Sequence, residues 1–138
     1  MIITIPLQTL QNGLGTAQSG TGEPITAGQA RRLACTAALV PAVLGSTSEV
    51  LDLGRTARLY SPAQRRALGL RDQTCRAQNC TIPAPWCEAH HADPWSRGGK
   101  TDLDNGDLLC HWHHQRAHDT RYTTTRTPDG DIQYHRRT

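Results

Sequence analysis

Two closely spaced ligand pairs constrain the fold of this chain more than any other feature of its sequence. Cys75 and Cys80 are separated by four residues, and Cys110 and His113 are separated by two. Each pair can bring two ligands to one point, which is the pattern of a closed tetrahedral zinc site with Zn–S bonds of about 2.3 Å. The sequence therefore predicts a structural Zn²⁺ of the Cys3His type, whose binding is coupled to the folding of the second half of the chain.

The composition is consistent with a domain that needs such a site. The chain has 138 residues, of which 36% are hydrophobic and none is phenylalanine, so its core is small. Five cysteines, several of them near histidines, favour metal ligation under reducing conditions over disulfide bonds. The start of the chain has no basic leader and no long apolar run, so we expect a cytoplasmic protein without membrane contact.

The segment LCHWHHQRAH, residues 109–118, contains four of the seven histidines of the chain. If residues 110–119 form a helix, His114 lies about 100° around the axis from His113 and faces away from the predicted zinc site. His118 follows four residues after His114 and falls on the same helical face. This pair predicts a second metal site, separate from the first.

A partner for this pair is predicted in the preceding strand. His90 and His91 end an extended segment that begins near Trp86. Because side chains alternate along a strand, the two histidines point in different directions and can have different roles. One of them can bind a metal ion while the other remains free. A polar loop that contains Asn105 and a short strand, DLLC, then lead into the helix.

We expect two parts in the chain, an N-terminal segment over residues 1–54 and a domain over residues 55–138. The N-terminal segment is predicted to contain a strand over residues 2–10, a glycine-rich linker over residues 12–24, and then a helix. The domain is predicted to be α+β, because it combines short strands with helices.

Capping-box spacings predict where two helices begin. One predicts a helix from Thr26 to about residue 39, and another, followed by a proline at the first helical position, predicts a helix from Ser61 to about residue 72. At the end of the chain, RYTTTRT and DIQYHRR flank the turn PDG. These segments of β-branched and aromatic residues predict a β-hairpin.

The order of strand, loop, strand and helix resembles the HNH endonucleases of the ββα-metal (His-Me finger) superfamily. The similarity lies in His91, Asn105, and His114 or His118, together with the zinc-ligand pairs around them. Almost the whole chain is similar to the C-terminal part of actinobacterial and mycobacteriophage repeat proteins, in which an uncharacterised helical region precedes an HNH domain. The resemblance implies a small zinc-stabilised ββα-metal domain, a preceding helix-containing segment that ends a larger helical domain, and a C-terminal β-hairpin.

The resemblance also implies a role for each matching residue. His91 matches the general base that activates water, and His90 matches the neighbouring metal ligand. His114 matches a metal-binding residue, and His118 matches a histidine that ligates metal in some branches of the superfamily. Asn105 matches the asparagine that fastens the loop by hydrogen bonds and so keeps the base oriented. Gly106 and Asp107 depart from the expected pattern, since apolar residues would better fill the second strand.

The implied activity is metal-dependent hydrolysis of DNA phosphodiester bonds. A neutral histidine can accept a proton from water near neutral pH, and a single divalent cation can neutralise charge on the phosphate. Imidazole ligands favour Mn²⁺, Co²⁺, Ni²⁺ or Zn²⁺ over Mg²⁺, although the resemblance alone leaves all five open.

Basic residues indicate how DNA can be bound. The formal net charge is +3, and all the basic residues except Lys100 are arginine, whose guanidinium suits phosphate. Arg97 in the loop and Arg65 and Arg66 in the second helix are candidate phosphate contacts, with Arg71 and Arg76 nearby in sequence. The alternative interpretation is a zinc-stabilised DNA-binding module without catalysis. Such a module would not need the additional histidines beyond the four zinc ligands.

Overall fold

The computed structural model describes residues 3–36 and 51–138. The chain divides into two compact units, Met1–Ser48 and Glu49–Thr138, which are described separately. Within the described ranges, no helix combines the length and the apolar character needed to cross a membrane.

Over residues 3–36, the first unit combines a small antiparallel sheet with two helices. Its strands pair in the order β1-β2-β3, with Ile3 opposite Ser19 and Ala17 opposite Ile25. The elements in chain order are β1 (Ile3–Thr4), α1 (Leu7–Asn12), β2 (Thr16–Ser19), β3 (Pro24–Thr26) and α2 (Ala27–Thr36).

Two predictions for this unit were wrong. The strand predicted over residues 2–10 ends at Thr4, because Pro6 precedes a short helix that Gly13 ends in the left-handed conformation, with φ of 75°. The linker predicted over residues 12–24 instead contains β2 and the start of β3. A tight turn joins these strands, with Gly22 at φ 86°.

The capping box predicted at the start of α2 is present. The Gln29 amide N–H donates to the Thr26 hydroxyl at 3.2 Å, and the Thr26 N–H donates to Gln29 Oε1 at 2.9 Å. The predicted end of this helix, near residue 39, lies outside the described residues.

In its described part, residues 51–138, the second unit is built from two antiparallel strand pairs and two α-helices. Helix α3 begins as predicted, since Ser61 and Gln64 form a reciprocal capping box and Pro62 occupies its first turn. The elements in chain order are α3 (Pro62–Asp72), β4 (Cys87–His91), β5 (Gly106–Cys110), α4 (His111–Ala117), β6 (Tyr122–Arg126) and β7 (Ile132–Arg136). The predicted α+β fold class and the C-terminal hairpin are confirmed.

The paired strands β4 and β5 and helix α4 form the predicted ββα arrangement. Across the ladder His90 lies opposite Asp107, and His91 lies opposite Gly106. All five residues of β5 are buried, and its two consecutive leucines contribute to different cores. Leu108 packs with Tyr60 and Leu68, whereas Leu109 packs in the cluster that holds the cysteines.

The polar residue of β5 is compensated by an ion pair. Asp107 is 3% exposed, and the Arg126 guanidinium donates to both of its carboxylate oxygens at 3.1 and 2.5 Å. Arg126 comes from β6, so the C-terminal hairpin supplies the cation that this buried carboxylate requires. The hairpin is also joined to the rest of the unit by a bridge between Ala77 and Ile132.

Candidate active site and metal centres

Four side chains converge at the junction of β5 and α4. The ligand atoms of Cys75, Cys80, Cys110 and His113 all lie within 4.8 Å of one another. Nδ1 of His113 lies 3.6 Å from Sγ of Cys75 and 3.2 Å from Sγ of Cys110. The two ligand pairs identified in the sequence therefore meet at one point.

The donor set and its spacing suit a tetrahedral cation. In a zinc site with sulfur and imidazole ligands, neighbouring donor atoms are roughly 3.5 to 3.8 Å apart. The Cys110 amide N–H donates to Sγ of Cys75 at 3.3 Å, a bond that favours a thiolate at that sulfur. Burial raises the pKa of the Cys80 thiol to about 11, so thiolates crowded together here require a nearby positive charge.

Neighbouring groups hold this cluster in place. The Tyr134 hydroxyl donates to the His113 carbonyl at 3.1 Å, and the two rings stack with centroids 5.4 Å apart. Cys87 lies opposite Cys110 but directs its thiol to the Pro83 carbonyl, 3.4 Å away. The fifth cysteine of the sequence, Cys35, lies in the other unit and is exposed.

A second cluster consists of three imidazoles on the other side of α4. The rings of His114 and His118 have centroids 5.2 and 5.0 Å from the ring of His90. Nε2 of His114 lies 3.3 Å from Nε2 of His118, and one nitrogen from each of the three residues lies within 4.8 Å of the others. Three nitrogens at this spacing fit a first-row divalent cation with coordination positions left for other ligands.

Burial favours the neutral, metal-binding form of His90 and His118. It is the main cause that lowers the pKa of His90 to about 4, and the nearby imidazoles of His114 and His118 lower it further. Burial also lowers the pKa of His118. Neutral imidazoles retain a lone pair for a cation near pH 7, so the cluster is suited to hold one.

A carboxylate orients one of the three histidines. Oε2 of Glu88 is hydrogen-bonded to Nδ1 of His114, which leaves Nε2 of His114 facing His118. This hydrogen bond is the main cause that lowers the pKa of Glu88. Carboxylates commonly bind the second nitrogen of a metal-ligating histidine and so fix the ring.

The side chain of His91 makes contacts that His90 does not share. Its Nε2 is hydrogen-bonded to Oγ1 of Thr101 at 2.9 Å. Its ring lies 4.7 Å from the Tyr60 ring and 6.1 Å from the Trp95 ring, measured between centroids. Burial lowers the pKa of His91, and the positive charges of Arg58 and Arg55 lower it further. Neither His91 ring nitrogen belongs to the three-histidine cluster.

Asn105 ties together the two ends of the loop between β4 and β5. Its amide nitrogen donates to the carbonyls of Asp93 and Lys100, at 3.0 and 2.8 Å, and its amide oxygen accepts from the Asp93 N–H at 2.7 Å. Gly99 lies so close to this crossing that a Cβ atom there would be 1.8 Å from the Asp93 carbonyl oxygen. These contacts hold the loop compact beside His91.

The arginines considered from the sequence occupy different environments. Arg65 and Arg66 lie on α3, where Arg65 is exposed, and Arg97 is exposed in a single 3-10 turn of the loop. Arg71 instead pairs with Asp72 and donates to two backbone carbonyls, those of Leu103 and Gly106. Arg76 lies 3.9 Å from Asp72 and 3.7 Å from Asp131. Arg71 and Arg76 therefore stabilise the fold.

Two residues of the site were not predicted from the sequence. Glu88 precedes His90 by two positions in a strand, so the alternation of strand side chains could have placed it on the same face. Thr101 carries no comparable signal, since its position beside His91 depends on how the loop folds back.

The ββα arrangement, with a four-ligand cluster on one side of its helix and three imidazoles on the other, defines a small metal-binding nuclease-type domain. The family model described as HNH endonuclease matches residues 75–120, and the model of a domain of unknown function, DUF222, matches residues 1–72. The chain belongs to the DUF222 family and carries an HNH endonuclease domain after that region.

The chain is also similar to mycobacterial proteins. It is 33% identical over 134 residues to "Uncharacterized protein Rv1128c" of Mycobacterium tuberculosis strain H37Rv. This alignment covers 97% of the chain and 29% of that protein. It is 31% identical over 110 residues to "Uncharacterized protein Rv1945" of the same strain, covering 80% of this chain and 24% of that protein. The chain thus spans less than a third of the length of these relatives. No solved structure gives a significant match.

Proposed function

We propose that this protein is a metal-dependent endonuclease that hydrolyses DNA phosphodiester bonds, with His91 as the general base. The main support for the proposal is that two consecutive histidines, His90 and His91, point into different environments. His90 lies in a cluster with His114 and His118. His91 instead contacts Thr101, Tyr60 and Trp95. One strand end thereby offers a candidate metal ligand and, beside it, a candidate base outside the ligand set.

His91 is suited to accept a proton from water. The lowered pKa keeps its imidazole neutral near pH 7, so that a ring nitrogen retains its lone pair. In the proposed step the water oxygen forms a bond to phosphorus and its proton passes to His91. The bond between phosphorus and the leaving 3′ oxygen then breaks.

His90, His114 and His118 would hold the divalent cation. Such a cation, when bound, supplies Lewis-acid stabilisation of charge on a phosphate oxygen and on the leaving oxygen. The all-nitrogen donor set suits Mn²⁺, Co²⁺, Ni²⁺ or Zn²⁺ better than Mg²⁺. Glu88 would orient His114 so that Nε2 of that ring remains available to the cation.

The other cluster would bind a structural Zn²⁺ through Cys75, Cys80, Cys110 and His113. Three thiolates and one imidazole form a closed set, with no position left for substrate. Asn105 would act indirectly, because its hydrogen bonds hold the loop that follows His91. Its role in catalysis is therefore one of positioning.

Exposed arginines would provide the contacts with DNA. Arg65 and Arg97 are exposed, and Arg66 lies beside Arg65 on α3. Contacts between these guanidinium groups and phosphates would set affinity and its dependence on salt, without reading the base sequence.

A plasmid-cleavage assay with a series of divalent ions tests this function. We expect the zinc-loaded protein to cleave supercoiled plasmid in the presence of a transition-metal ion and to be inactive with a chelator. The His91→Ala variant should lose about 10²- to 10⁴-fold in rate while retaining DNA binding and bound zinc. The matched control is His135→Ala, which removes an exposed histidine of β7.

Two outcomes would reject the assignment. Cleavage by His91→Ala at the wild-type rate would exclude His91 as the base. Tight DNA binding by the wild-type protein without cleavage in any of the ions would favour a zinc-stabilised DNA-binding module.

A further inference from the structure

Thr101 links His91 to a segment that lies far from it in sequence. The side chain is fully buried, and its backbone is held on both sides. The Thr101 N–H donates to the Gly54 carbonyl at 2.8 Å, and its carbonyl accepts from the Leu53 N–H and from Nε2 of Gln64, both at 2.9 Å. Residues 51–58 and the start of α3 therefore fix the position of the Thr101 hydroxyl.

The hydrogen bonds of this hydroxyl determine which nitrogen of His91 carries a proton. A threonine hydroxyl has a single proton to donate. Oγ1 of Thr101 lies 3.1 Å from the carbonyl oxygen of Arg58, which can only accept. The proton is thus directed to Arg58, and the same oxygen accepts from Nε2–H of His91 at 2.9 Å. The opposite arrangement would place two oxygen lone pairs against each other in a buried position.

We propose that Thr101 and the segment of residues 51–58 position the base by fixing His91 as the Nε2–H tautomer, so that Nδ1 accepts the proton of water. A neutral imidazole with its proton on Nε2 has its lone pair on Nδ1. Among residues 3–36 and 51–138, no hydrogen-bond partner is found for Nδ1 of His91. This inference rests on the proposed function of His91, and it specifies Nδ1 as the ring nitrogen that would accept the proton.

The family comparison assigns no role to residues 51–58, whereas their contacts with Thr101 would give them one. Residues 51–58 lie within the match to the domain of unknown function, and they precede the match to the HNH endonuclease model. They nevertheless belong to the same compact unit as the three-histidine cluster. The end of the DUF222 region would thus complete the nuclease centre.

Nitrogen NMR of the histidine side chains tests the tautomer directly. Long-range ¹H–¹⁵N correlation spectra of the zinc-loaded chain distinguish Nε2–H from Nδ1–H imidazoles, and the His91→Gln variant identifies the signals of His91. We expect a single Nε2–H tautomer whose proton exchanges slowly with water. The Thr101→Val variant should exchange that proton at least about tenfold faster, because its acceptor is lost.

Kinetic measurements test whether the hydrogen bond matters for cleavage. Thr101→Val should lower kcat by about 10- to 100-fold, the usual loss when an orienting partner is removed, with KM for DNA unchanged. Thr101→Ser retains the hydroxyl and should restore most of the rate. Thr124→Val makes the same chemical change at an exposed position of β6 and should cleave like the wild type.

The outcomes separate this inference from the proposed function. An Nδ1–H tautomer in the wild-type protein overturns the inference, as does a wild-type kcat in Thr101→Val. Absence of cleavage by the wild-type protein overturns the proposed function, while the NMR spectra still decide the tautomer. If Thr101→Val does not fold, the wild-type spectra and the Thr101→Ser variant carry the test.

Discussion

His91 and Gly106 lie directly opposite each other across the β4–β5 ladder, and the missing side chain of Gly106 makes room for a residue that contacts His91. A Cβ atom on Gly106 would lie 3.1 Å from Cε1 of Tyr60 and from both terminal methyl carbons of Leu68. The Tyr60 ring in turn contacts the His91 ring. Glycine at this position therefore permits the packing that supports the candidate base.

Gly106→Ala should destabilise the second unit. The neighbouring atoms belong to buried side chains that have little room to move, so we expect a loss of about 1 to 3 kcal/mol in the free energy of unfolding. Denaturant unfolding measures the change. Gly69→Ala is the control: its Cβ would lie 3.8 Å from Cβ of Ala84, and alanine is the better helix former within α3. This control should stabilise the unit by about 0.4 to 1 kcal/mol, and equal effects of the two substitutions would contradict the packing argument.

Cys110→Ser should prevent the second unit from folding. Cys110 is buried and is a member of the four-ligand cluster, so its loss removes a thiolate from the proposed zinc site. Elemental analysis should show loss of tightly bound zinc, and circular dichroism should show loss of the cooperative thermal transition of this unit. The control is Cys35→Ser, which alters an exposed thiol in the other unit and should leave both measurements unchanged. A Cys110→Ser protein that melts like the wild type would argue against a structural metal.

Glu88→Gln should weaken the three-histidine site without abolishing it. The amide removes the negative charge at Nδ1 of His114, and loss of such a partner typically lowers metal affinity by about 10- to 100-fold. Calorimetric titration of the zinc-loaded protein with Mn²⁺ or Co²⁺ measures the change in Kd. Glu23→Gln alters an exposed glutamate of the first unit and provides the control. An unchanged Kd in Glu88→Gln would show that the carboxylate does not orient the ligand.

Arg126→Met should destabilise the second unit by leaving Asp107 without its ion pair. The Asp107 side chain is 5% exposed and that of Arg126 is 45% exposed, so we expect a loss of about 1 to 3 kcal/mol. The double variant Arg126→Met with Asp107→Asn should recover part of the loss, because no buried charge remains unpaired. A chemical denaturation series checks both values, and a double variant less stable than Arg126→Met would refute the explanation.

The parts of the fold predicted best from the sequence were those with local signals. The capping box at Ser61, the hairpin around the turn PDG and the helix after Cys110 each depend on residues close in sequence. Strands β2 and β3 were missed because strands of three or four residues are stabilised by their partners and carry little pattern of their own. Their prediction required knowledge of the pairing.

For the candidate site, helical spacing predicted that His113 and His114 face different clusters. Alternation along the strand predicted that His90 and His91 point in different directions. His114 and His118 meet His90, while His113 meets the cysteines. The supporting residues could not be found in the same way. The position of Thr101 depends on a loop closed by Asn105 and on contacts with residues 53–58, which no local pattern encodes. The roles assigned to these side chains remain predictions that the proposed experiments address.

His113 and His114 are consecutive residues of α4, yet they belong to two different ligand clusters. Under the proposed assignment, a molecule depleted of zinc would therefore lose the folded helix α4 and, with it, the three-histidine site. The availability of zinc would then limit the fraction of molecules able to cleave DNA, even when the ion of the three-histidine cluster is abundant.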